Sequence, residues 1–190
     1  MGLRIFKQSS NNSKMVNLQG EIWFGGIYME IPIIDEERLL RVKELIHKAA
    51  LLMEEDYDKH QEEVEALGRQ VEALAGKTVD IFEANCYWSH SSLDDVAKSF
   101  LMPEPEQCDL TNDEIKDILV HFFDYLGQYG DAVSDYIVEF LALNTGLSNM
   151  MDYIYFSEEV GLELEPSMGL EECMSLIADK IIEDRRSLLR

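Results

Sequence analysis

Between Asp35 and Gly76 the chain repeats every seven residues: Leu39, Ile46, Met53, His60, Leu67 and Leu74 form one series, and Ala50, Tyr57, Val64 and Val71 fill the alternate positions. A period near 3.5 suits a helix whose apolar seam meets another helix, whereas a strand would scatter the same residues over both of its faces. Asp35 stands where an N-cap belongs, and Gly76 is a natural stop. The segment 36–75 is therefore one long helix, or two broken near the acidic run Glu54–Asp58. Gly68 costs about 1 kcal/mol inside a helix and counts against an unbroken rod. The seam serves an intramolecular bundle or a dimer equally well, so a homo-oligomer through 36–75 is one expectation.

Ahead of this run, Glu21-Ile22-Trp23-Phe24 and Ile27-Tyr28-Met29-Glu30-Ile31 flank Gly25-Gly26. Two glycines supply the positive φ of a tight hairpin turn, and β-branched and aromatic residues fill both arms. A small N-terminal β-hairpin packed on helices is expected. Beyond Gly76, Ser92 caps a short helix with Asp94 and Asp95 in its first turn, ended by Pro103 and Pro105. Thr111-Asn112-Asp113-Glu114 reads as a capping box. Ile115, Ile118, Leu119, Phe122 and Leu126 then make an apolar stripe that Gly127 and Gly130 break. The segment 131–144 is apolar on most faces and is expected to be central. A shorter helix over 147–156 and a last one over about 168–187, with Leu170, Met174, Ile177 and Ile181 inward, complete the chain. The fold class is mostly α (α+β): a bundle of about six helices with a small hairpin. It reads as a single domain, 1–190, with the β element in 1–35 and the bundle in 36–190.

Charge narrows the choice of partners. Thirty-eight acids against sixteen bases give −22. Residues 1–35 balance, 36–76 hold eleven acids and six bases, and between Lys98 and Lys180 eighteen acids face one cation, Lys116. Nucleic acid and anionic membrane surfaces are poor partners for such a chain, because both are gripped by Lys and Arg. No apolar run approaches the roughly 20 residues of a membrane span, and no secretory signal is expected at the start. Three cysteines (Cys86, Cys108, Cys173) fit a reducing compartment. A cytoplasmic location follows as an expectation. The acidic excess has two readings: a solubility or salt-adaptation trait, or a face for a strongly basic partner, which complementary charge would steer.

Glycine-rich phosphate loops, Gly-x-Ser-x-Gly, His-Glu-x-x-His and Cys-x-x-Cys are all absent. Asp117-x3-His121-x2-Asp124 places a histidine and two carboxylates on one helical face, but a metal centre needs ligands from a second element. Cys86-x3-His90 pairs a thiol with a base in acidic surroundings, which work against a thiolate. His60 sits in a dense acidic cluster without the paired Glu-x-x-His of di-iron bundles. No catalytic residue, metal ligand or cofactor is assigned.

The function read from the chain is an acidic intracellular binding protein. It would neutralise or regulate a basic protein, as an inhibitor, immunity protein or antitoxin does, through a carboxylate-rich helical face. The candidate partner-binding residues are Asp117, Asp124, Asp131, Asp135, Glu139, Asp152, Glu158 and Glu159. One alternative is a nucleic-acid mimic that inhibits a DNA- or RNA-processing enzyme, with carboxylates standing in for phosphates. A weaker one is a metal-dependent enzyme using His121 or His60.

Overall fold

A computed structural model describes the backbone of residues 21–24, 27–30, 34–86 and 92–188, and the side chains of 34–83 and 92–188. These residues are mostly helical. Two short strands, β1 (Glu21–Phe24) and β2 (Ile27–Glu30), pair antiparallel with Trp23 opposite Tyr28. The Gly25-Gly26 turn and the expected packing of this pair on helices lie outside the described residues. The helices divide between two compact units, one over Pro32–Pro103 and a second that carries Glu104–Arg190.

The first unit is built on α1 (Glu36–Ala75). Asp35 caps it, its carboxylate accepting from the Arg38 amide at 2.8 Å, and Gly76 ends it at φ 74°. Inside it, Asp56 leaves the helical region, at φ −172° and ψ 98°. The Arg38 guanidinium donates to the carbonyl of Leu74, 36 residues away. In a straight helix those residues would stand about 54 Å apart. The break at Asp56 therefore reverses the chain, and α1 is two antiparallel arms, 36–55 and 57–75. The Asp56 carboxylate accepts from the Lys59 amide at 3.3 Å, a cap for the second arm.

The heptad seam closes between these arms. Val42, Leu45, Ile46, Ala49 and Ala50 from the first meet Val64, Leu67 and Val71 from the second in one buried cluster. The apolar stripe that could have joined two copies is thus covered by the chain itself. Gly68 has a packing reason: a Cβ there would lie 3.2 Å from the Ile81 Cβ, so its bare backbone admits the 3₁₀ turn Ile81–Cys86. Helix α2 (Leu93–Leu101) adds Ala97, Phe100 and Leu101 to the cluster. Ser92 caps it, accepting from the Asp95 amide at 3.0 Å. Asp94 ties the two helices together through Lys43 of α1 at 2.9 Å and its own helix's Lys98 at 2.6 Å.

The second unit carries α3 (Asn112–Val120), α4 (Phe122–Tyr129), α5 (Asp131–Thr145), α6 (Met150–Tyr155) and α7 (Leu170–Leu188). The capping box forms in full: the Glu114 amide donates to the Thr111 hydroxyl, and the Glu114 carboxylate accepts from the Thr111 amide. The expected stripe over 115–126 is interrupted at His121, whose ψ of 4° breaks the helical run. Gly127 does not break it; α4 passes through Gly127 and ends at Gly130, where φ is 83°.

Helix α5 is buried on most faces, with Val133, Tyr136, Ile137, Phe140 and Leu141 in the core, and it packs on α4, α6 and α7. Asn144, buried near its end, accepts from the Cys108 amide and donates to the carbonyls of Glu106 and Phe140. One side chain thereby pins the segment leading into α3. Met174, Ile177 and Ile181 of α7 point inward as expected, against α3 among others. Leu170 does not: it opens the helix and remains 57% exposed.

Candidate functional site

The carboxylates picked from the sequence fall into two neighbourhoods of the second unit, and a third surrounds a buried tyrosine. The first spans the α3–α4 joint. His121 lies between the two helices, its Nδ1 3.4 Å from the Asp124 carboxylate. Asp117 is half-buried, and burial holds its pKa above the usual carboxylate value; the nearby Asp113 and Glu114 push the same way, against His121. Asp124 is exposed. The three residues do come together, but across a joint and not along one helix face. Among the described residues, no group of three or more His, Cys, Asp or Glu side chains is placed to hold a metal ion.

The second neighbourhood is α5 and α6. Asp131, Asp135 and Glu139 are exposed while the residues between them are buried. Their spacing of four sets one carboxylate per turn, a row about 12 Å long. Beside this row stands Tyr155, the last residue of α6. Burial holds its phenol above the ordinary pKa; Ser134 pulls the other way, and the charges of Asp135 and Asp131 add to the rise. The Tyr155 ring meets Phe122 at 6.0 Å and Phe123 at 6.3 Å, edge to face in both cases. Met151 lies one turn back along α6, and Phe156 follows directly. Their exposures of 43% and 53%, with 39% for Tyr155, are high for side chains of this size. Asp152, half-buried, sits on the same short helix, and Glu158 and Glu159 are exposed in the 3₁₀ turn Ser157–Val160 after it.

The third neighbourhood surrounds Tyr136. Its hydroxyl is buried without a hydrogen-bond partner. Burial, followed by the charges of Glu106 and Glu139, pushes its pKa up to about 12. Cys108 lies close by, and burial together with Glu114 and Asp109 raises its thiol above the ordinary value, against a smaller pull from Arg185. A thiol so held is a poor nucleophile at neutral pH.

The cations of this unit serve its own framework. Lys116, alone among the acids of 104–179, pairs with Asp179 at 3.3 Å. Lys180 bonds Asp184 at 2.9 Å, and Arg185 donates to the Leu110 carbonyl at 2.7 Å. In the first unit, His60 lies at the hairpin's closed end, with Nε2 3.6 Å from Glu55 and Nδ1 3.7 Å from Glu63. The Cys86/His90 constellation lies outside the described residues. No helix among the described residues is long and apolar enough to cross a membrane.

Spacing alone singled out the carboxylates but not Phe123, Met151, Tyr155 and Phe156, since isolated apolar residues on a helix read as core. The only available signal was that α6 offers more apolar side chains than one buried face of a six-residue helix can use. Comparisons with protein-family models, with curated proteins and with solved structures find no match to this chain.

Proposed function

We propose that this is an acidic intracellular protein that binds, and so neutralises or regulates, a basic protein partner through the carboxylates of α4, α5 and α6. The observation carrying the proposal is the exposed Asp131–Asp135–Glu139 row beside the exposed aromatic side chain of Tyr155, in a stretch where eighteen acids face one lysine. A trait selected for solubility alone would favour a mixed surface, which avoids the self-repulsion of −22. Like charges gathered on one face instead raise the encounter rate with an opposite charge and repel wrong partners.

A nucleic-acid mimic fits this face less closely, because the exposed aromatic and methionine side chains at the edge of the α5 row have no counterpart in a phosphate backbone.

The test is affinity capture from nuclease-treated host lysate with a salt-gradient elution, comparing the native chain with D124K/D131K/D135K. The proposal expects one basic protein, released at a sharp salt step and lost from the variant, whose helical circular dichroism is unchanged. Retention of the same protein by the variant removes this face as the binding surface. Elution of several nucleic-acid-processing enzymes together moves the reading to mimicry.

A further inference from the structure

We infer that the element this face receives is a cationic amphipathic helix, anchored by apolar side chains on Phe123, Met151, Tyr155 and Phe156 and flanked by lysines or arginines that meet the carboxylates of α5. This inference rests on the proposed function and narrows its partner.

Three observations carry it. The anchoring surface is apolar and exposed, with Met151, Tyr155 and Phe156 each between 39% and 53% open to solvent. The apolar side chains are spaced as a helix's anchors are: the Phe123 and Tyr155 rings lie 6.3 Å apart, and Met151 stands one turn of about 6 Å from Tyr155 along α6, each close to the separation of the i and i+4 positions by which a helix is laid on an apolar surface. The flanking charge is acidic: Asp131 and Asp135 act on Tyr155 itself, and Glu158 and Glu159 follow Phe156. An acidic rim excludes an acidic segment, and it opposes a second copy of this chain, which also carries −22. An extended strand is the weaker fit, because strand addition needs an open sheet edge, and α4, α5 and α6 have none.

Binding energy in such contacts concentrates in a few apolar and aromatic anchors, while the charged rim governs rate and specificity. The inference is therefore separable from simple attraction between opposite charges. The probes are two synthetic peptides of identical lysine-rich composition. In one, leucines fall at i, i+4 and i+7; in the other, the same leucines are scattered around the helix. The full-length chain is titrated with each at about 0.15 M salt. The patterned peptide is expected to bind about ten-fold more tightly, and to gain helical circular dichroism on binding. Phe156→Ser and Met151→Ser, both at exposed positions, should each weaken it about five-fold while leaving the scattered peptide unaffected.

Equal affinity for the two peptides overturns the inference and leaves the acidic face as a purely electrostatic site. Absence of binding by either peptide overturns it as well. So does a concentration-dependent dimer of the chain abolished by Phe156→Ser, which would assign the apolar stripe to a second copy. Failure of the function reading looks different: the lysate partner would then survive charge reversal at Asp124, Asp131 and Asp135.

Discussion

The two units hold an acidic chain together with different shares of charge and apolar packing. Pro32–Pro103 holds sixteen acids and eight bases, Glu104–Arg190 twenty and five. In the first unit, cations work between elements: Lys43 and Lys98 converge on Asp94, and Arg38 reaches the far end of the hairpin at Leu74. Its core is one continuous seam, mostly of aliphatic side chains, with Phe100 among them. The second unit also ties its elements with cations, Lys116 of α3 to Asp179 of α7 and Arg185 of α7 to the Leu110 carbonyl, and adds a full capping box, one buried asparagine and a set of buried tyrosines. In both units the cations are spent on the framework, but Glu104–Arg190 has one for every four acids, against one for every two in Pro32–Pro103.

Alkaline pH should separate the units most strongly. Burial raises the phenols of Tyr125, Tyr136, Tyr153 and Tyr155, and in Tyr153 the hydrogen bond to Asp184 adds to it. Above about pH 10 the unfolded chain releases these protons while the folded one retains them. Their stabilising contribution is complete below that pH and is lost as pH rises through the folded values, with Tyr136 titrating near 12. All four belong to the second unit. Hydrogen exchange between pH 9 and 11.5, corrected for intrinsic rates, should show protection lost first in α4, α5 and α6. Equal loss along α1 would remove the distinction.

Two helical glycines give the next contrast. Gly68→Val forces a side chain against Ile81, which leaves about 1–3 kcal/mol of overpacking to be absorbed in the first unit. Gly127, inside α4, has open space where its Cβ would be, so Gly127→Ala should stabilise by about 0.5–1 kcal/mol. Urea denaturation of both variants checks the two signs together. A neutral Gly68→Val would mean that the 3₁₀ turn does not need its close approach.

Acid pH gives the smallest effect and one of opposite sign at two aspartates. Hydrogen bonds from Lys98 and then Lys43 hold Asp94 below its ordinary pKa, so its contribution is present above about pH 4 and lost as pH falls through the folded value. Asp117 is raised by burial, so its contribution is present below about pH 4 and lost as pH rises through the folded value. Asp94→Asn should therefore destabilise at pH 7 and matter little at pH 2. Asp117→Asn should be neutral or stabilising at pH 7. Thermal unfolding at the two pH values decides it, and a destabilising Asp117→Asn would mean that its carboxylate has a structural partner that outweighs burial.

Local signals were legible where a residue's neighbours in sequence are also its neighbours in space. Asp35, Ser92 and Thr111 cap the helices they precede, Gly76 ends α1 at positive φ, and the apolar heptad residues lie in or against one buried cluster. The break in 36–75 falls inside the acidic run, at Asp56. The interruption at His121 escaped, because nothing in its residue type forbids a helix; so did Leu170, whose periodic position carries no information about what stands opposite. Of the candidate site, the exposed α5 carboxylates followed from their spacing, and the aromatic stripe beside them did not.

The sequence by itself determined helix periods, caps and stops, the uneven distribution of charge, and the absence of the common catalytic motifs. These are properties of a residue and those within a few positions of it. Only tertiary structure decided that α1 folds back on itself, that Gly68 exists for Ile81, and that Tyr155 of one short helix lies among Phe123 of another and Asp131 and Asp135 of a third. Helical periodicity specifies which face of a helix is apolar, but what covers that face, or leaves it open, depends on where distant segments pack.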